Sequence, residues 1–367
     1  MRIVSARWVV SVERPPIADG AIALDDDGTV RMVGARAALR AALATAPEER
    51  AEGVLVPGLV NAHCHLELSA LADTLPGGDG LVPWATSLMK AAAPLSRERR
   101  RAAAGEAAAA AARLGTAAIG DVGNTLDAAP GIGAARLRGV LFHELVGSRE
   151  AATGDALGDA AHERARADAD AAWPSGLGYV RAPHAPYSVG PELLRRIFAA
   201  AAAEGRATSI HVAEDPDELA LLHDGDGRWA TVLAALGVDP ASRAPGKSPV
   251  AYLADLGAFA GPPPLLVHMV HASAEDRRIA RQAGATVVLC PRSNLHIGGR
   301  MADVSALLDD GLSLALGTDS LASTPDLSLW GEMATLAAHF PAVPAARWIE
   351  AATRGGGGRR GGGRPRA

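Results

Sequence analysis

The sequence predicts an α/β fold, a (β/α)8 TIM barrel carrying a small N-terminal β-sandwich portion. Three observations lead there. Short apolar strand candidates alternate with helical segments from Pro57 to Thr353. The first 56 residues instead read as short strands broken by Gly and Asp turns. Histidines and carboxylates recur at the C-terminal ends of the later strand candidates. With 367 residues, 49% of them hydrophobic, the chain can bury a barrel-sized core and a small accessory unit.

Taken in order, residues 1–56 offer strands at Ile3–Val12, Gly20–Leu24 and Thr29–Val33, and Gly53–Val56 leads into the stretch that follows. Asp25-Asp26-Asp27-Gly28 supplies a turn, and Ala35–Leu43 a helix. Residues 57–353 then repeat strand, loop and helix. The strand candidates are Leu59–His65, Thr116–Val122, Gly139–Leu145, Gly178–Ala182, Ala207–Val212, Leu265–Val270, Ala285–Leu289 and Ser313–Gly317. Helices are expected at Ser96–Leu114, Pro191–Ala203, Asp217–Leu222, Trp229–Leu236 and Ala274–Ala283. The Ala107–Ala112 run is strong helix former and nothing more. Residues 354–367, RGGGGRRGGGRPRA, have no apolar period and predict a disordered tail.

Composition narrows the function. A net charge of -5 gives no general attraction to nucleic acid or an anionic membrane, so neither is an expected partner. Two cysteines, Cys64 and Cys290, are too few for a disulfide framework and suit a reducing cytoplasm. The N-terminus has no apolar leader, and no run has the length of a membrane span. The expectation is a soluble cytoplasmic protein acting on a small molecule.

The chemistry gathers around Val56-Pro57-Gly58-Leu59-Val60-Asn61-Ala62-His63-Cys64-His65-Leu66-Glu67. On a strand, His63 and His65 leave the same face, and two converging imidazoles make half a metal site. Cys64 points the other way, toward a core. The remaining strand ends carry His211 and Glu214, then His268 and His271, then Arg292 and Asn294, then Asp319. In a barrel these ends share one face, where active sites are built.

The motifs VPGLVNAHCHLELS, APHAPYSVGPELL, HVAED, LVHMVHAS, VVLCPRSNLHIG and ALGTDSLAS resemble the amidohydrolase superfamily, in its branch of metal-dependent aminohydrolases. Within that branch, NAHCHLELS and CPRSN are most similar to sequences grouped with aminodeoxyfutalosine deaminases. The resemblance implies metal ligands His63, His65, His211 and Asp319. Three imidazoles and one carboxylate suit Zn²⁺, with Fe²⁺ as the alternative, and leave a position for water. Many relatives bridge two metals with a carboxylated lysine on the fourth strand. The only lysines here, Lys90 and Lys247, fall elsewhere, so a single divalent metal is expected.

The resemblance further implies catalytic roles for Glu214 as proton shuttle and for His268 and Asp319 in taking the proton of water. His184 resembles a substrate-contacting position. Other expected substrate contacts are Glu144 at ribose hydroxyls, Trp84 stacked on a ring, Arg292 paired with a carboxylate, and Asn294. Each has a bland alternative: capping for Glu144 and Glu67, packing for Trp84, a surface ion pair for Arg292. His271 is either a hydrogen-bond partner behind the site or structural.

Family members usually continue after the eighth strand into further β-strands that complete a sandwich with the N-terminal ones. Here the resemblance stops near Thr353, so the C-terminal part of the sandwich is expected to be missing. An exposed apolar sheet face and doubtful stability would follow, with homodimer formation as the remedy. The expected function is hydrolytic deamination of an aminated heteroaromatic substrate, 6-amino-6-deoxyfutalosine being the best single guess. The alternatives are a chloride or alkylamine leaving group on the same site, or an inactive damaged copy or scaffold.

Overall fold

The computed structural model describes residues 1–147, 155–170 and 173–355. Met1–Gly58 form one unit, and the rest of the described chain, from Leu59, forms a second.

The first unit is a single sheet of β1 (Arg2–Val9), β2 (Ile17–Leu24), β3 (Val30–Ala35) and β4 (Glu48–Leu55), in the order β3-β2-β1-β4. β1 runs antiparallel to β2 and parallel to β4. The Asp25–Gly28 turn forms as read: Gly28 takes φ 84°, and the Asp25 carbonyl and carboxylate accept from Gly28 N (3.0 Å) and Thr29 N (2.9 Å). The helix Arg36–Ala42 lays Leu39 on Ile3, Ala21 and Ala23. β4 was not among the expected strands because its first half, Glu48-Glu49-Arg50-Ala51-Glu52, carries the polar side chains of an edge strand and gives no apolar signal. Trp8, Met32, Val33 and Val54 stay exposed. Among the described residues of this unit there is one sheet, not the two facing sheets of a sandwich.

The second unit contains all eight expected strands, every pair parallel. β5 (Leu59–Cys64), β6 (Thr116–Gly123), β7 (Arg138–Leu145) and β8 (Leu177–Pro183) form one sheet in chain order. β9 (Ser209–Val212), β10 (Leu265–His268), β11 (Thr286–Leu289) and β12 (Ser313–Leu316) form another. Backbone hydrogen bonds join the sheets at both edges. Thr318 N and Asp319 N donate to His63 O at 3.0 and 3.1 Å, and His211 N donates to His184 O at 3.0 Å. Gly317 permits the first of these seams: a Cβ there would lie 2.7 Å from His63 O.

Helices between the strands bury their apolar faces against these sheets. Pro191–Ala203 presents Leu193, Leu194, Ile197 and Phe198, a helical period, to the main core. Arg97–Arg113 buries Ala103, Ala104, Ala107, Ala108 and Ala111. That alanine stripe is a close-packing face, since a Cβ on Gly131 of the next helix would meet Gly105 Cα at 2.6 Å. Ala274–Ala283 starts at a capping box in which Ser273 and Asp276 bond each other's backbone N–H. The Gly/Arg tail lies outside the described residues from Gly356 onward; Ala351–Gly355 form one π-helical turn. No described helix is long and apolar enough to cross a membrane.

Candidate active site

β5 delivers His63 and His65 as the alternation requires. Their Nε2 atoms lie 3.9 and 3.7 Å from Asp319 Oδ1, which sits just past β12. Cys64 faces away, its buried Sγ against Gly120 O and Asp121 Oδ1. His211, near the end of β9, donates Nδ1–H to His184 O (2.9 Å), which leaves its Nε2 lone pair free. That nitrogen is 3.3 Å from His65 Nε2. Four imidazoles, His63, His65, His211 and His268, thus converge with one carboxylate.

This cluster fits a divalent metal on two observations. His63 is 0% exposed and neither ring nitrogen has a hydrogen-bond partner, a costly state for a buried polar group. Ligands at ~2.0–2.1 Å from a shared ion lie about 3.3 Å apart at tetrahedral angles and at most about 4.1 Å apart. The 3.3, 3.7 and 3.9 Å separations all fall within that span. Burial keeps these rings neutral, the form that ligates: it pushes His65 down to about 3 and His211 to about 4.

The turns that present these groups are strained. Ala213, His268, Met269 and Asp319 all take positive φ, 51°, 75°, 51° and 60°. Each such residue costs on the order of 1–3 kcal/mol and persists only where its surroundings enforce it. The reversal at His268 and Met269 also ends β10 two residues before the expected Val270. Around Ala213 the enforcing group is Glu218, whose carboxylate accepts from Ala213 N and Glu214 N, both at 3.0 Å.

That turn aims Glu214 into the site, with Oε1 3.4 Å from His268 Nε2. Burial raises the Glu214 carboxyl well above the usual range, which favours its protonated form. His268 Nδ1 meets Asn294 Nδ2 at 3.0 Å; with the amide oriented so, Asn294 donates and His268 keeps Nε2–H toward Glu214. Ser293 Oγ donates to Asp319 Oδ2 at 2.5 Å and so orients that carboxylate.

The expected substrate contacts divide. His184 belongs to the cluster, 4.9 Å from His211 between ring centroids, with Nδ1 bonded to Ser188 Oγ at 2.5 Å. Glu144 is buried beside it, 3.6 Å from His211 Nδ1 and bonded by Asn124 Nδ2 at 3.0 Å; burial raises its carboxyl to about 7. Asn294 is drawn in, but chiefly as the partner of His268.

Arg292 requires correction. The Arg292 guanidinium is committed within the protein: Nε to Glu332 Oε1 at 2.7 Å, Nη2 to Asp326 Oδ1 at 2.8 Å, and further bonds to the Asp326 and Ser328 carbonyls. Glu332, fully buried, needs that cation more than a ligand would. Trp84 packs in an apolar cluster with Leu71, Tyr187 and Trp229. Glu67 caps the loop after β6 through Asn124 N, Thr125 N and Thr125 Oγ. Ser293 and Glu218 were not singled out from the sequence. Ser293 lay in the CPRSN motif beside a noticed arginine, and Glu218 looked like any acidic residue of a helical first turn.

A cavity of about 510 Å³, including its open mouth, adjoins the cluster. Glu214 and Asn294 line its buried end, together with Leu81, His271, Arg228 and Arg300.

Residues 54–357 match the amidohydrolase family. Aminodeoxyfutalosine deaminase of Deinococcus radiodurans is 33% identical over 343 residues, spanning 89% of this chain and 78% of that protein. The 5-methylthioadenosine/S-adenosylhomocysteine deaminase of Halobacterium salinarum is 32% identical over 320 residues, 83% of this chain and 68% of that one. Among solved structures, Helicobacter pylori aminofutalosine deaminase in complex with methylthio-coformycin superimposes with a TM-score of 0.82. Its sequence identity is 22%, over 97% of this chain and 86% of that one.

Proposed function

The chain belongs to the amidohydrolase family, and from that premise we propose that it is a metal-dependent hydrolytic deaminase of an aminated, nucleoside-like heteroaromatic substrate. The eight parallel strands are read as one closed (β/α)8 barrel, supported by the hydrogen bonds at both sheet edges. His63, His65, His211 and Asp319 are the proposed ligands of one divalent ion, zinc on the chemistry of the donor set. An ion held there supplies Lewis acidity, making water acidic enough to act as nucleophile near neutral pH.

The protein's own groups then handle the protons. Glu214, whose burial favours the protonated form, protonates the ring nitrogen next to the carbon bearing the amino group, which makes that carbon electrophilic. Asp319, oriented by Ser293, accepts the proton of the attacking water and passes it to the departing amine. His268 Nε2–H, held by Asn294, is placed to stabilise negative charge developing on the incoming oxygen. As the carbonyl forms, its proton returns to Glu214, and ammonia leaves.

The observation that carries this reading is Glu214 itself, which both faces His268 at 3.4 Å and lines the cavity where a substrate can enter. Ammonia release should be measured on aminodeoxyfutalosine, methylthioadenosine, S-adenosylhomocysteine, adenosine and guanine. Release from one of them, lost in Glu214→Gln, is the expected result. Release from none by folded, metal-loaded protein would sink the deaminase reading and move the search to chloride or alkylamine leaving groups.

A further inference from the structure

With Arg292 committed to Glu332, any anion on a substrate needs another cation, and the cavity offers one. Two arginines line it. Arg228 is engaged, Nε with Asp217 Oδ2 at 2.6 Å and Nη1 with Asp79 O at 3.0 Å. Arg300 is exposed, and among the described residues no hydrogen bond or ion pair engages its guanidinium. The carboxylates on the same wall do not compete for it. Asp215 accepts from Leu81 N (3.1 Å) and Asp217 N (2.8 Å), and Glu214 is the buried acid at the far end.

The rim that carries Arg300 is fixed. The helix Pro291–Gly298 ends at Gly299, whose φ of 67° reverses the chain and releases Arg300 from the helix. Ile297 O accepts from Gly78 N (3.2 Å) and Gly80 N (3.1 Å), tying this end to the opposite lip of the cavity. Gly77 packs so closely there that an added Cβ would lie 1.9 Å from His296 O. Arg300 and His271 line the same cavity, and burial, followed by the Arg300 charge, lowers the His271 imidazole below its usual range.

We propose that Arg300 is a specificity-determining residue that pairs with a carboxylate on the substrate at the end remote from the ring amine. This rests on the deaminase reading and narrows it to adenine-type nucleosides bearing an anionic arm. A guanidinium with no internal partner breaks no internal ion pair on binding, and its planar fork matches a carboxylate with two parallel N–H donors. The cavity has the gradient such a substrate needs, from the buried Glu214 and Asn294 to the solvent-facing Arg300.

The test is calorimetric binding of aminodeoxyfutalosine and its carboxylate methyl ester to metal-loaded Glu214→Gln protein, with and without Arg300→Ala. The expected result is a preference for the acid over the ester that falls about 10- to 100-fold in Arg300→Ala and is partly restored in Arg300→Lys. Equal affinity for acid and ester with Arg300 present, binding of neither, or a preference that survives Arg300→Ala would overturn the assignment. Binding without deamination by the wild-type, metal-loaded protein would count against the deaminase reading alone, because the acid–ester comparison reads Arg300 whether or not ammonia is released.

Discussion

His65 and His211 face each other nitrogen to nitrogen, Nε2 to Nε2, at 3.3 Å. His65 follows directly on β5 and His211 lies in β9, strands at the edges of different sheets. With Nδ1–H of His211 spent on the His184 carbonyl, its Nε2 offers only a lone pair to its neighbour. A cation shared by the two nitrogens, as in the proposed metal site, would stabilise such a pair.

Purified protein should therefore hold about one divalent ion per chain, and His65→Ala or His211→Ala should lose it. Ser293→Ala, which removes the hydrogen bond orienting Asp319, should weaken metal affinity by roughly 10- to 100-fold without abolishing it. Elemental analysis and competition with a chromogenic chelator read both effects. Unchanged metal content in all three variants would refute the ligand assignment.

Glu214→Gln keeps the size of the buried acid but cannot release a proton. Turnover should fall on the order of 10²–10⁴ while metal content and melting temperature hold near wild type. A drop in melting temperature of the same size as that from Glu218→Gln would instead mean that Glu214 supports the turn rather than the chemistry.

Arg292→Ala should reduce stability, not substrate recognition. It strips the partner from Glu332, a carboxyl that is 0% exposed and that burial raises to about 7 despite the Arg292 charge. Removing one half of a buried pair costs about 3–5 kcal/mol, less below pH 7 where Glu332 takes up a proton. Thermal unfolding should show the loss, and Glu332→Gln in the same chain should recover part of it. A selective rise in KM for carboxylate substrates would reverse the assignment.

In the N-terminal sheet, Glu48 is held down to about 2 by Arg36 Nε (2.5 Å) and by Ser5 Oγ (2.6 Å). Its folded pKa lies below the unfolded value near 4.5, so its contribution is complete above that pH and is lost as pH falls toward 2. Amide exchange in β1 and β4 should be slower in wild type than in Glu48→Gln above pH 5. The difference should shrink across this acid window; a constant difference would mean the pair is not linked to folding.

The regular elements were legible because their signals are local. Pro191–Ala203 and Ala274–Ala283 were bounded correctly, the first by a proline at its start and the second by Ser273 and Gly284 at its two ends. Strand ends were less so. The extent of β10 depends on a backbone reversal at His268 and Met269 that no residue preference announces, and β4 is an edge strand without an apolar period. Arg292 was misjudged because its partner, Glu332, is 40 residues away in sequence, and a lone arginine beside a motif looks the same whether it meets a ligand or a buried glutamate.

By itself the sequence determined the strand–helix alternation and which side chains each strand end offers, since both follow from periodicity and from the chemistry of His, Glu and Asp. Only the tertiary structure decided which of them act together. Hydrogen bonds at the two sheet edges bring His63 to Asp319 and His184 to His211, and Glu332 engages Arg292 while no group among the described residues engages Arg300 at the cavity. Pairing across hundreds of residues depends on where the chain returns, and a local pattern carries no record of that.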